Sequence, residues 1–136
     1  MKTFIFSFLF FMGCLAFFAC SKSEDNIPES TSIIGKWKLI ETYSDPGDGS
    51  GKFRPIKSNK ILEFDSTEVR TNEGGLCNNR SNSTYSLSER EYEGRVFTVV
   101  SFVNCESNYS YIISENTFTI YYNCIEGCGE RYKRIK

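Results

Sequence analysis

Histidine is absent from this chain of 136 residues. Its absence removes the side chain that titrates near neutral pH and most often serves as general base or metal ligand. Serine–histidine and cysteine–histidine nucleophile pairs are therefore excluded. Proline is scarce, at 3 residues, and tryptophan occurs once. No stretch beyond the N-terminal region carries a useful run of helical periodicity. Charge is nearly balanced, 16 Lys and Arg against 17 Asp and Glu, which leaves no net field to gather nucleic acid. The carboxylates are scattered through polar positions without forming a constellation. The expectation is a protein that is not an enzyme and needs no cofactor or metal.

What is present points to β structure. Aromatic residues make up 15% of the chain and come mainly from Phe and Tyr, which suit pleated, half-buried surfaces. From residue 33 onward, short alternating runs are split by turn residues. Their boundaries predict strands over 33–43, 60–65, 69–71, 83–88, 95–103, 109–114, 117–122 and 130–135. The run 95–103 is the most apolar and reads as a strand buried on more than one side. About eight strands in hairpin order avoid open edges by closing on themselves, so the expected fold is all-β, a small up-and-down antiparallel barrel. A β-sandwich is the alternative that the same spacing allows.

The first 19 residues read differently. Met1-Lys2 precedes the apolar, Phe-rich run from Thr3 to Ala19, a secretion signal too short for a membrane span, which needs about 20 apolar residues. Cys20 follows the small Ala19 and precedes Ser21-Lys22-Ser23-Glu24-Asp25-Asn26. This arrangement resembles a bacterial lipoprotein processing site. The resemblance implies acylation of Cys20, a membrane partner reached through the acyl chains, and a place on the periplasmic or surface face of the outer membrane. Residues 20–32 then form the acylated cysteine and a flexible linker, and 33–136 the barrel domain.

Gly35-Lys36-Trp37, at the start of the first expected strand, resembles the G-x-W signature of lipocalins, and the domain is similar to compact lipocalin-like lipoproteins of Bacteroidetes. In that family the Trp lies across the closed end of the barrel under an Arg from the last strand. The resemblance implies Arg134 for that role, with Arg131 as second choice. It also implies a monomer with a small hydrophobic ligand in the barrel, and Phe64, Tyr85, Tyr109, Tyr111, Phe118 and Tyr122 are the candidate lining. A second resemblance, of Gly75-Leu76-Cys77-Asn78 with Tyr85 and Cys105 to lipoprotein domains of the META/heat-shock-inducible type, implies an envelope interaction module with a filled core.

Besides Cys14 and Cys20 the chain holds Cys77, Cys105, Cys124 and Cys128, an even number that implies disulfides in an exported domain. In an up-and-down series all four fall at one rim, opposite the end that Trp37 and Arg134 would close. Three pairings are possible. Adjacency of the loops favours Cys77–Cys105 with Cys124–Cys128, and a four-thiolate zinc site is the alternative. Asp45-Pro46-Gly47-Asp48-Gly49-Ser50 has a superficial likeness to a calcium loop, but its aspartate spacing is wrong and Ile56 stands where the bidentate Glu belongs. A mobile loop is expected there.

Overall fold

The structure, a computed structural model, describes residues 32–76, 80–103, 105 and 108–136. The stretch expected to be a signal sequence, Cys20 and most of the expected linker, as well as Cys77, lie outside the described residues. Among the described residues the secondary structure is nine strands: β1 (Gly35–Ser44), β2 (Lys52–Pro55), β3 (Ile61–Phe64), β4 (Glu68–Thr71), β5 (Asn82–Tyr92), β6 (Arg95–Phe102), β7 (Asn108–Ser114), β8 (Thr117–Tyr122) and β9 (Cys128–Ile135). All pairings are antiparallel, each barrel strand bonds to its neighbour in sequence, and β9 returns to β1 along almost its whole length, from Lys36 opposite Ile135 to Ser44 opposite Cys128.

Eight strands close the barrel, and β2 is the extra one. β2 pairs with Glu41–Ser44 and β3 with Gly35–Lys38, both on the edge of β1 that β9 leaves open. They form one interrupted strand. Leu39 donates its N–H to the Lys60 carbonyl and the Ile56 N–H donates to the Ile40 carbonyl, each at 3.0 Å, so the ladder continues on both sides of the outward excursion at 56–60. Phe53 between Lys52 and Arg54 carries a short alternating signal that the strand assignments above passed over.

Period two then sorts the side chains. Trp37 and Leu39 of β1, Leu62 and Phe64 of β3, Val69 of β4, Val100 and Phe102 of β6, Phe118 and Ile120 of β8 and Tyr132 of β9 form one buried cluster inside the barrel. A bulge between Leu39 and Glu41 switches the facing of β1. Beyond it Tyr43 points outward, where it meets Phe53 (5.2 Å between ring centres) and Tyr121 (6.4 Å). Gly129, opposite both Tyr43 and Tyr121, lies beneath this outer cluster, and a Cβ there would sit 2.7 Å from the Ile120 carbonyl oxygen.

The strand β6 departs from the reading of a strand buried on more than one side. Val99, Val100 and Phe102 are buried, but Val96 is 66% exposed and Phe97 40%. Its first half belongs to a β5–β6 hairpin longer than the barrel wall. The hidden extension of β5 is Glu89-Arg90-Glu91, whose charges masked its alternation.

Candidate functional site

The closed end is built from three residues. Trp37 is fully buried, its indole N–H donates to the Ile33 carbonyl at 2.7 Å, and the Arg134 guanidinium carbon lies 4.1 Å from the ring centre. Arg134 and Trp37 are direct partners across the β1–β9 seam. The guanidinium also donates to the Ile34 carbonyl at 2.8 Å and the Ser32 carbonyl at 2.6 Å, which straps the incoming chain over the plug. Gly35 adopts φ +132°, where a side chain is strained, and a Cβ would come 2.8 Å from Arg134 Nη1. Gly35→Ala is therefore expected to destabilise the domain by about 1–3 kcal/mol in urea unfolding. Arg131, one face over, instead lies outside the barrel, 3.7 Å from the Phe53 ring centre and 2.6 Å from Glu41.

Above the plug the aromatic rings pack on one another. Phe118 is the hub, with ring centres at 5.6 Å from Trp37, 5.6 Å from Phe64, 5.7 Å from Tyr111 and 5.9 Å from Tyr132. Of the six candidate lining residues, Phe64, Tyr111 and Phe118 are buried in this stack, while Tyr85, Tyr109 and Tyr122 are half-buried against it. Tyr85 stands edge-on to Phe64 at 5.2 Å and donates its hydroxyl to the Asp65 carbonyl at 2.6 Å. Tyr109 packs on Tyr122 at 5.3 Å and on Phe102 at 5.6 Å.

The upper interior holds a polar group that the sequence reading missed. Glu130 accepts hydrogen bonds from the hydroxyls of Tyr122 and Tyr132, the latter at 2.5 Å, and Lys60 Nζ reaches both of its carboxylate oxygens at 2.9 Å. The side chains of Lys60 and Glu130 are each 17% exposed. Burial alone would raise the Glu130 pKa, but the donors Tyr122, Tyr132 and Lys60, with the lysine charge, together hold it below the ordinary glutamate value. Burial and the neighbouring carboxylate push the Tyr122 hydroxyl well above its usual range. Burial, Tyr122 and the same carboxylate do the same to Tyr132. A signal for this cluster existed in the sequence, because Glu130, Tyr132 and Arg134 share one face of β9.

At the rim opposite the plug Cys124 and Cys128 are joined in a disulfide with their Cα atoms 6.0 Å apart. Cys105 is also disulfide-bonded. The expected bridge from Cys105 to Cys77 lies outside the described residues. The glycine-dense loop is held beside the Cys124–Cys128 turn by the Asp45 N–H, which donates to the Gly127 carbonyl at 3.2 Å. Its first carboxylate is taken up by its own backbone: Asp45 accepts from the N–H groups of Gly47 (2.8 Å), Gly49 (3.1 Å) and Gly51 (3.1 Å). These bonds, Gly47 first, lower its pKa against the opposing effect of partial burial. Asp45→Ala is expected to speed amide exchange of Gly47, Gly49 and Gly51 at neutral pH while leaving the strands protected. In the parent chain the same loosening is expected only as pH falls below the ordinary aspartate pKa of 3.8.

No family model, curated protein or solved structure matches this chain.

Proposed function

We propose that this chain is a lipid-anchored, non-catalytic, lipocalin-like binding protein. Its barrel takes a small ligand with an apolar body and one polar end. The observation that carries the reading is the set of Lys60, Glu130, Tyr122 and Tyr132 on the inner wall, above a barrel end sealed by Trp37 and Arg134. A shielded ion pair adds little to stability compared with apolar residues of the same volume. An interior that keeps one, between apolar rings below and a rim above, offers the mixed lining of a ligand site. The packed stack around Phe118 confines the ligand to the upper half, beside Tyr109 and Tyr122. Anchoring rests on the lipoprotein-like sequence at Cys20 and places the protein at the outer membrane.

The test is a panel of fatty acids, isoprenoid alcohols and sterol-like amphiphiles titrated into the full chain, read by thermal unfolding and tyrosine fluorescence. A true ligand at about 100 times its Kd is expected to stabilise the domain by about 2.7 kcal/mol. Lys60→Met is expected to weaken binding of the carboxylate members more than that of the alcohols. A panel without effect on either readout removes the ligand reading. The second reading, an envelope interaction module with a filled core, would then stand. It is favoured by the full burial of Trp37, Phe118 and Tyr132. Anchoring is checked separately: the mature protein should carry acyl mass on Cys20, and Cys20→Ser should remove it.

A further inference from the structure

The β5–β6 hairpin is an arm that stands clear of the barrel. On one edge β4 pairs with β5 only over Asn82–Thr84, with one further bond from the Tyr85 N–H to the Thr67 carbonyl. On the other, β7 pairs with β6 only over Thr98–Ser101. Residues 86–98 are all exposed. Chain order places the tip, Glu93-Gly94, beyond the same end as Trp37 and Arg134. The span from Ser86 to Tyr92 is about 20 Å at the rise of a β-strand.

The two faces of the arm differ. Arg90 lies opposite Phe97 and Tyr92 opposite Arg95, so one face carries two guanidiniums and two aromatic rings. Ile112, 57% exposed, continues that face onto β7, because Thr98 pairs with Tyr111. The other face carries Leu87, Glu89, Glu91 and Val96. Tyr92 is 67% exposed at the tip. An apolar face fringed by Tyr and Arg matches the boundary between headgroups and acyl chains, where such side chains keep their polar ends in water. With Glu89, Glu91 and Glu93 outnumbering the two arginines, attraction by net charge is not the source of binding.

The end at which the chain enters, and the length of the tether, select the occupant. Ser32, Ile33 and Ile34 face Tyr85, Ser86 and Leu87 across an open cleft of about 380 Å³, so the chain enters beside the root of the arm, on the side of Leu87 and away from Arg90 and Phe97. From there residues 21–31 reach at most about 40 Å when extended. The arm therefore spans roughly half the distance that the tether allows. We propose that the Arg90–Tyr92–Arg95–Phe97 face of the arm docks on the bilayer surface to which Cys20 is tethered. Docking holds the sealed end toward the membrane and the disulfide rim away from it. This inference rests on the acylation of Cys20 proposed above.

The experiment uses the full acylated chain in vesicles of phosphatidylethanolamine and phosphatidylglycerol with brominated acyl chains. Tyr92→Trp places an indole at the tip. Ile125→Trp places one at the opposite rim, where Ile125 is fully exposed. Trp37, buried in the core, is a common background. Docking predicts several-fold stronger quenching of the indole at 92 than of the one at 125, lost again when Phe97→Glu is added. Equal, weak quenching in a chain that carries acyl mass and floats with the vesicles overturns docking and leaves the anchor standing. A chain without acyl mass overturns both. A blue-shifted indole at 92 without vesicles, together with a dimer in sedimentation, assigns the face to a second copy and also overturns docking.

Discussion

Trp37→Ala is expected to cost about 3–5 kcal/mol, the range for removing a fully buried aromatic side chain. The indole loses its contact with Phe118, its hydrogen bond to the Ile33 carbonyl and its partner Arg134 together. Small domains have total stabilities of about 5–15 kcal/mol, so the variant should be close to unfolding at 37 °C. Arg134→Ala removes the cation from the ring and both straps to Ser32 and Ile34, and should cost less, about 1–3 kcal/mol. Arg134→Lys keeps the charge but cannot hold two carbonyls in one plane, and should fall between Arg134→Ala and the parent chain. Urea unfolding followed by circular dichroism measures all three. A Trp37→Ala variant within about 1 kcal/mol of the parent would mean that the plug contributes little to the core.

Glu130→Ala is expected to cost about 3–5 kcal/mol, because it leaves Lys60 charged and poorly hydrated and two tyrosine hydroxyls without their acceptor. The double variant Lys60→Met, Glu130→Leu should recover most of that loss, since the apolar pair leaves no unmatched charge. The pH dependence has a definite sign. The folded Glu130 pKa lies below the ordinary value of 4.5, so its contribution is fully present above pH 4.5. It is lost as pH falls through the depressed folded value. Stability should therefore drop on acidification below pH 4.5, and the double variant should show a shallower drop. If the double variant unfolds as readily as Glu130→Ala, the inner wall contributes through packing rather than through charge.

The barrel was largely legible in the sequence because burial inside a closed sheet imposes a strict period of two. Trp37 and Leu39, Leu62 and Phe64, and Phe118 and Ile120 each announce an inner face. Three features were not legible, each for a physical reason. β2 is short, charged on both sides of Phe53 and ended by Pro55, so it reads as loop; only the β1 edge recruits it. The outer half of the β5–β6 hairpin satisfies its backbone by pairing with itself. Its side chains are free to be charged on β5 and apolar on β6, which made one strand look too short and the other too buried. Glu130 shares a visible face of β9 with Tyr132 and Arg134, but nothing in the sequence shows what lies across the interior from it. Lys60 comes from a loop end 70 residues away.

The sealed end, the upper interior and the arm depend on one another. Arg134 can cap Trp37 only because β9 closes against β1, and the same pairing turns Glu130 inward toward Lys60. Closure also fixes the end at which the chain enters, and hence which end the proposed tether would draw toward a bilayer.

Amide hydrogen exchange along the β1–β9 seam tests that closure most directly. The amides of Lys38 and Lys133, which face each other across the seam, should exchange only through global unfolding, as slowly as those of Val100 and Ile120 elsewhere in the wall. Seam amides that exchange orders of magnitude faster than the rest of the sheet would show an open edge where the barrel is held to close, and would contradict the account.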